Sequence, residues 1–372
     1  MSDAGPVHAG VTVEQAWQRV PGGSASYLLA LLDALRHRDD VRATGLAAAH
    51  RHHEPDELRV PVPVRSLPLP RYALYRAWNH LSAPRPEWLV RDLDVVHAST
   101  WAIPPTSRPL VVTVHDVAFL RDPAHFTPRG VRFFTRALER TRDEAAAVVV
   151  PSRATADDCV AAGIAPERLH VVPHGAPGWT VTASDVAEVR TRLGLPERFV
   201  LWCGTFEPRK NVGGLLAAFA RLAERDPDVR LVLVGPPGWG EVPARPAPGP
   251  WERRVVELGR LSTSDLRATY AAAAAFCFPS TWEGFGLPVL EAMSVGTPVV
   301  TSRGTSMAEV VAGAGVLVDP LDPEDLAAGM ERALSEEGPL LGAAGRARSQ
   351  AFTWSDAAAR HAAVYRGAAA GR

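Results

Sequence analysis

Residues 275–293 read Ala275-Phe-Cys-Phe-Pro-Ser-Thr-Trp-Glu-Gly-Phe-Gly-Leu-Pro-Val-Leu-Glu-Ala-Met293. An apolar run, Ala275 to Phe278, has the length and aromatic content of a buried strand. A turn carrying Gly284 and Gly286 follows, and Pro288 then suits the first turn of a helix. Strand, glycine turn and helix in that order describe a parallel α/β unit. Its turn presents backbone N–H groups above the carboxyl edge of the sheet, where open α/β sheets take ligands and where helix N-termini favour anions. Two acids, Glu283 and Glu291, flank the turn. Paired carboxylates suit vicinal sugar hydroxyls. Taken singly, Glu283 also reads as an exposed loop acid, and Glu291, placed in the first helical turn, as an acid serving the helix dipole.

The same alternation runs outward in both directions. Val11–Val13, Asp94–His97, Leu110–Val114, Ala147–Val150 and Leu169–Val172 read as buried strands, as do Phe199–Cys203, Val229–Val234, Ala275–Phe278, Thr297–Thr301 and Gly315–Asp319. Near-continuous apolar strands separated by Ala/Leu/Arg-rich helices imply parallel sheets covered on both faces. Five or more strands on each side of the Pro/Gly-rich segment from Pro173 to Ala183 predict two doubly wound domains rather than one very wide sheet. The segment 236–250, dense in proline, reads as a surface loop of the second domain, and Pro61 to Pro70 as a proline-rich piece of the first.

Composition narrows the class. The chain has 372 residues, 47% hydrophobic and 22% charged, with net charge −1. That is a folded globular balance, without the basic excess of a nucleic-acid-binding protein. Cys159, Cys203 and Cys277 are too scattered for a disulfide framework or a CxxC zinc site. No run reaches the ~18 apolar residues of a membrane span, and MSDAGPVHAG lacks the features of a signal peptide. A cytoplasmic protein is expected.

Three further segments carry chemistry. Gly204-Thr-Phe-Glu-Pro-Arg-Lys-Asn211 joins a strand to an Ala/Leu helix. Arg209 and Lys210 at such a turn can neutralise a diphosphate, with Asn211 as N-cap. Gly22 and Gly23 open the helix from Ser24 to His37. His115 and Asp116 follow the strand Leu110–Val114, while His97, Ser99 and Thr100 close a neighbouring strand. Gln15 and Trp17 lie shortly ahead of the Gly-Gly loop. In Thr127 to Arg142, Arg129, Arg132, Arg136, Arg140 and Arg142 recur at helical spacing beside Phe133 and Phe134. This reads as a solvated arginine face over a core, or as peripheral contact of 127–142 with an anionic membrane.

The segment Glu-Gly-Phe-Gly-Leu-Pro-Val-Leu-Glu, residues 283–291, resembles the E-x7-E motif of family 4 of the retaining glycosyltransferases with the GT-B fold (glycosyltransferase group 1). Gly204 through Asn211 resembles that family's Arg-Lys-Asn segment, Gly22-Gly23 its Gly-Gly loop, and Val114-His115-Asp116 its V-H-D segment. Pro151-Ser-Arg153, Gly259-Arg260-Leu261-Ser262 and Phe352-Thr-Trp-Ser355 also match. Pro173-His174-Gly175 stands where many members have Pro-Asn-Gly, so no asparagine role transfers.

The resemblance implies two Rossmann-like domains facing each other across a cleft: 1–176 for the acceptor, 177–350 for the nucleotide-sugar donor, and 351–372 as a helix crossing back to the first. It implies transfer of a hexose from a nucleotide diphosphate to an acceptor hydroxyl with retention, without a metal or other cofactor. His115, Glu283, Arg209 and Lys210 take the catalytic roles. Gly22, Gly23, Gly204, Arg209, Lys210, Arg260, Leu261, Glu283, Phe285, Gly286, Leu287 and Glu291 bind the donor, with Glu283 on the sugar, Glu291 on the ribose and the two cations on the pyrophosphate. Gln15, Trp17 and Asp116 face the acceptor. The pattern looks most like bacterial mannosyltransferases, hence GDP-mannose as donor and a glycan or glycolipid of the cell envelope as acceptor. The alternatives are a UDP-hexose donor (glucosyl or N-acetylglucosaminyl), an epimerase of the same fold, and a non-catalytic sugar-nucleotide-binding scaffold. No nucleic-acid partner is expected.

Overall fold

The computed structural model describes residues 5–18, 22–52, 58–238 and 249–371. Most of the proline-rich loop expected at 236–250 lies outside these residues. The chain folds into two compact units, one running to Gly175 and resuming at Thr353, the other spanning Ala176–Phe352.

The first unit holds seven strands: β1 (Val7–Thr12), β2 (Val41–Ala47), β3 (Val64–Ser66), β4 (Val95–Ala98), β5 (Leu110–Thr113), β6 (Ala145–Val150) and β7 (Leu169–Val171). They pair in parallel in the order β3-β2-β1-β4-β5-β6-β7. The order reverses between β1 and β4, and the loops above their carboxyl ends carry Glu14–Trp17 and Ser99–Thr100. Successive side chains serve opposite faces. Val11, Val95, Val111 and Val149 pack against the helix Gly23–Leu35 and the terminal helix Trp354–Ala370. Leu46, Val96, Val112 and Val148 pack with Phe119, Leu138 and Cys159 on the other side. Each fully buried Val, Leu or Phe contributes about 1.5–3 kcal/mol.

The second unit holds β8 (Phe199–Cys203), β9 (Arg230–Val234), β10 (Val255–Gly259), β11 (Ala275–Phe278), β12 (Val299–Ser302) and β13 (Val316–Val318), again all parallel, in the order β10-β9-β8-β11-β12-β13. Its core surrounds Trp202, Leu215, Phe219, Phe276 and Phe278. The reversal falls between β8 and β11, paired at Val200–Ala275 and Leu201–Phe276. The loops leaving those two strands therefore begin side by side, which positions the site described below.

Three strands go beyond the sequence reading, and each has a physical reason. β2 reads Val-Arg-Ala-Thr-Gly-Leu-Ala, and its small residues hide the β pattern. Gly45 is packed against Val13 and Val64, with no room for a Cβ at relaxed contact. β3 is a three-residue edge inside the proline-rich piece. β10 is the other sheet's edge, partly exposed and interrupted by a bulge at Gly259.

Candidate active site

In the second unit, β8 runs into Gly204, a short 3₁₀ turn at Pro208–Lys210 and the helix Val212–Arg225. Gly204 donates its N–H to Val234 at 3.0 Å. Gly235, at φ +146°, lies so close that a Cβ there would meet the Gly204 oxygen at 1.7 Å. Only glycine fits that approach. Asn211 takes the left-handed conformation (φ 54°) and caps the helix, accepting from the Gly214 N–H at 3.2 Å. Its amide also donates to the Pro320 carbonyl at 2.6 Å, fixing the Arg209–Lys210 turn to the loop after β13.

The second loop leaves β11. Its segment 279–286 is held to the first by the Thr281 N–H donating to the Arg209 carbonyl at 2.8 Å. Glu283 is almost completely buried. Its Oε1 accepts from Lys210 Nζ and from the Ser280 hydroxyl at 2.7 Å, and forms an ion pair with Arg209 Nη1 at 2.8 Å. Its backbone carbonyl accepts from the Ser306 hydroxyl at 2.6 Å. Burial alone would raise the Glu283 carboxyl pKa, but the two cations outweigh it and hold it at about 2. Lys210 is drawn below its ordinary value by burial and by Arg209, against the opposite pull of Glu283 and Glu207, and its ammonium lies 5.0 Å from the Phe278 ring centre. Arg209 also meets Glu207 at 3.3 Å and the Trp282 carbonyl at 3.1 Å. Two cations are thus balanced by two carboxylates, and Arg209 is the more exposed of the cations. An exposed loop acid at Glu283 is ruled out. An anion approaching Arg209 would compete with carboxylates that already orient it.

Gly286 (φ +97°) caps the helix Leu287–Ser294, with Pro288 in its first turn. The Met307 side chain sits where a Cβ on Gly286 would be, 2.6 Å from its Cγ. Glu291 lies beyond the first turn, which contains no acid. This corrects the sequence placement: the helix starts only at Leu287, so Glu291 is too far along to serve the dipole. Its carboxylate instead accepts from the Tyr270 hydroxyl at 3.0 Å. Burial raises its pKa to about 7 despite that bond. Phe285 is buried against Phe352 at 5.9 Å. Arg260 is exposed and Leu261 half-buried after β10.

In the first unit, His115 follows β5, and its Nε2 donates to the Ser99 carbonyl at 3.1 Å. Burial lowers its pKa, so its neutral form leaves Nδ1 as an acceptor. Asp116 is spent on the Ala118 N–H at 3.0 Å. His97 is fully buried and bonded on both nitrogens, to Tyr365 and Thr113. Ser99 pairs with Thr12, and Thr100 accepts from the Ala102 N–H at 3.5 Å. Gln15 is buried against Ser99, while Trp17 stacks on His50 at 4.5 Å. Gly22 is the extended N-cap residue of the helix that begins at Gly23. The segment 127–142 forms the helix Pro128–Glu144. Phe133 and Phe134 are half-buried, against Tyr75 and against Trp101 and Phe119 respectively. Arg140 pairs with Glu144 and Arg142 with Asp143. Arg129, Arg132 and Arg136 are exposed.

Sequence reasoning missed Ser280, Ser306 and Tyr270, which buttress the two acids, because hydroxyl residues carry no spacing signal of their own. Among the described residues no group of three or more His, Cys, Asp or Glu is placed to hold a metal, and no helix is long and apolar enough to cross a membrane.

Known proteins agree with this architecture. Residues 21–177 match the family profile described as Glycosyltransferase Family 4, and residues 197–336 that described as Glycosyl transferases group 1. The chain is 31% identical over 294 residues to the O-antigen chain mannosyltransferase B of Escherichia coli, covering 76% of this chain and 77% of that one. It is also 31% identical over 369 residues to the MMP alpha-(1->4)-mannosyltransferase of Mycolicibacterium hassiacum, covering 87% and 85%. Among solved structures it superposes on sucrose-phosphate synthase from Thermosynechococcus elongatus (TM-score 0.74, 22% identity, 98% of this chain and 100% of that one). It also superposes on Anabaena HepE in complex with UDP and glucose (TM-score 0.74, 22% identity, 97% and 100%). The two parallel α/β units match the GT-B fold of these glycosyltransferase structures. The chain belongs to family 4, group 1, of these transferase enzymes.

Proposed function

We propose that the protein transfers a hexose, with retention of anomeric configuration, from a nucleotide diphosphate sugar to a hydroxyl of a glycan or glycolipid in cell-envelope synthesis. GDP-mannose is the donor in this reading. The observation that carries it is the buried Glu283 carboxylate held ionised between Arg209 and Lys210, beside the loop that leads to Glu291. The names of the two mannosyltransferase relatives support the choice of sugar.

The second unit binds the donor. Arg209 and Lys210 stabilise charge on the departing diphosphate, an electrostatic role that a divalent ion fills in other transferases. Glu283 accepts hydroxyls of the sugar and Glu291 those of the ribose, while Gly204, Arg260, Leu261, Phe285, Gly286 and Leu287 line the nucleotide and sugar. The first unit binds the acceptor. From this unit Gly22 and Gly23 supply backbone donors to the donor's phosphates, His115 positions the donor sugar or acceptor by accepting a hydrogen bond from a hydroxyl at Nδ1, and Gln15, Trp17 and Asp116 line the acceptor's approach. No side chain supplies a covalent nucleophile in this reading, and the leaving phosphate assists deprotonation of the acceptor. Where the acceptor is lipid-linked, Arg129, Arg132 and Arg136 supply the charge that meets anionic headgroups.

The test is incubation of the purified protein with GDP-mannose, UDP-glucose and UDP-N-acetylglucosamine, each with mannosylated acceptors, with product stereochemistry read by NMR. Transfer from GDP-mannose with the donor's configuration kept is the expected result. An inverted product, or donor rearrangement without acceptor, overturns the reading. HepE was solved with UDP-glucose, so productive turnover of UDP-glucose alone would leave retaining transfer intact and replace only the donor.

A further inference from the structure

A buried hydrogen-bond chain in the first unit has a polarity that its geometry determines. On the terminal helix, Nδ1 of His361 lies 2.8 Å from the carbonyl of Ala357, one turn earlier. Nδ1 therefore carries the proton and Nε2 is an acceptor. Nε2 is 2.9 Å from the Tyr27 hydroxyl, which must donate to it. With that proton committed, the Tyr27 oxygen accepts from Thr113 at 3.0 Å. Thr113 in turn accepts from His97 Nε2 at 2.7 Å, and His97 Nδ1 accepts from the Tyr365 hydroxyl at 2.8 Å. The chain begins and ends on the same helix, at Tyr365 and His361, and passes through β4, β5 and the helix Gly23–Leu35. All four rings are neutral. Burial pushes His97 well below the usual histidine range and His361 to about 4, and raises both tyrosines.

Tyr27 does a second thing. Its ring meets His115 edge to face, with centroids 4.9 Å apart and planes at 84°. It also touches His174 at 4.6 Å, and His174 stacks on Trp354, the first residue of the terminal helix. Trp354 is pressed onto the chain at Gly175, where a Cβ would meet its backbone nitrogen at 2.3 Å. His115 is thus bordered by Tyr27 and His174, and both are held by the terminal helix.

We propose that Tyr27 is a positioning residue for His115, and that the terminal helix fixes the orientation of that imidazole through the bond from Tyr27 to His361. The inference rests on the reading of His115 as a substrate-facing acceptor. Packing alone would be served by phenylalanine. The buried hydroxyl adds two bonds, one donated to His361 and one accepted from Thr113, that pin the tip of the ring and favour one orientation of it. The edge-to-face contact passes that orientation to His115, whose Nε2–H stays on Ser99 and whose Nδ1 stays open to a hydroxyl. The groups facing His115 are Asp116 beside it, Tyr27 from its helix, His174 after β7, His97 on β4 and His361 on the terminal helix.

The test uses the full chain with ¹⁵N-labelled histidine, as wild type and as Tyr27→Phe, His361→Leu, His361→Gln and His115→Ala, the last to assign the His115 signals. Imidazole NMR reads tautomer and titration, and turnover of GDP-mannose reads rate. Wild-type His115 is expected as the Nε2–H tautomer, titrating below the ordinary histidine value. In Tyr27→Phe and His361→Leu its titration moves up towards that value, and kcat falls about ten-fold with donor KM within two-fold, the scale of a small misplacement of a reacting group. His361→Gln, whose amide oxygen still accepts from Tyr27, keeps both near wild type. If Tyr27→Phe and His361→Leu lower only the melting temperature and leave His115's tautomer, titration and kcat unchanged, the chain is a fold clamp and the proposal is wrong. Full turnover by His115→Ala would instead refute the reading of His115, a result distinguishable because the NMR readout does not depend on it.

Discussion

Glu283→Gln removes one negative charge from between two buried cations while keeping nearly the same shape. In the wild type the carboxyl group is displaced from 4.5 to about 2, about 2.5 units at about 1.4 kcal/mol each, or about 3 kcal/mol in favour of the ionised form. Glu283 and Lys210 are both nearly buried, so solvent screening removes little of this. The figure agrees with the cost of breaking a buried ion pair by deleting one partner. Because the folded pKa lies below the unfolded one, this stability is fully present above about pH 4.5 and is lost as pH falls towards 2. Urea titration at pH 7 should therefore show the variant about 3 kcal/mol less stable, with the gap closing as pH is lowered through that window. A variant within about 0.5 kcal/mol of wild type at pH 7 would refute the claim that the two cations, rather than shape, fix this carboxylate.

Other perturbations follow from the same geometry. Glu291 is raised to about 7, so its share of apoprotein stability is lost as pH rises from 4.5 through 7, while a nucleotide ribose that needs the carboxylate should bind more tightly over the upper part of that range; calorimetry should show Glu291→Gln abolishing the pH dependence. Gly286→Ala forces a side chain into the left-handed region against Met307 and should cost about 1–3 kcal/mol in a denaturant titration, so an unchanged midpoint contradicts the geometry. Acid unfolding should start as pH falls below about 6.5 and deepen towards 4, because burial keeps His361 neutral in the fold while the unfolded chain lets it take up a proton; His361→Gln should remove that portion of the slope. Arg129, Arg132 and Arg136 are exposed while Phe133 and Phe134 are turned inward, so any sedimentation with phosphatidylglycerol vesicles should vanish at high salt and in the triple glutamate variant; binding that persists at high salt would point to an apolar contact instead.

Much of the architecture is readable in the residues. β-branched and aromatic runs bounded by Gly and Pro mark the central strands, because those strands are buried on both faces and can tolerate little else. The strands that escape, β2, β3 and β10, are small-residue or edge strands, where packing by neighbours supplies what composition does not advertise. The two loops carrying Arg209–Lys210 and Glu283 also announce themselves, since each is a glycine-bearing turn between strand and helix, and the reversal of strand order makes them neighbours. Their supports are not legible. Ser280 and Tyr270 are ordinary residues until the fold sets them against Glu283 and Glu291. Tyr27 and His361 lie 334 positions apart, and no local pattern links them. Glu291 shows a further limit: whether it stands in the first or second turn depends on where the helix starts, and the left-handed conformation of Gly286, which spacing does not reveal, decides that.

We propose that Arg209 and Lys210 bind the donor diphosphate without a metal. Isothermal titration of GDP, UDP, ADP and dTDP into the wild type and into the Arg209→Ala/Lys210→Ala variant, first without metal and then with Mg²⁺, tests it directly. One nucleotide should bind the wild type without metal, GDP being the first expectation, and the double variant should lose at least about ten-fold, since a hydrogen bond to a charged group is worth about 1.5–3 kcal/mol. Equal affinity in the two proteins, or binding that appears only with Mg²⁺, would contradict the account.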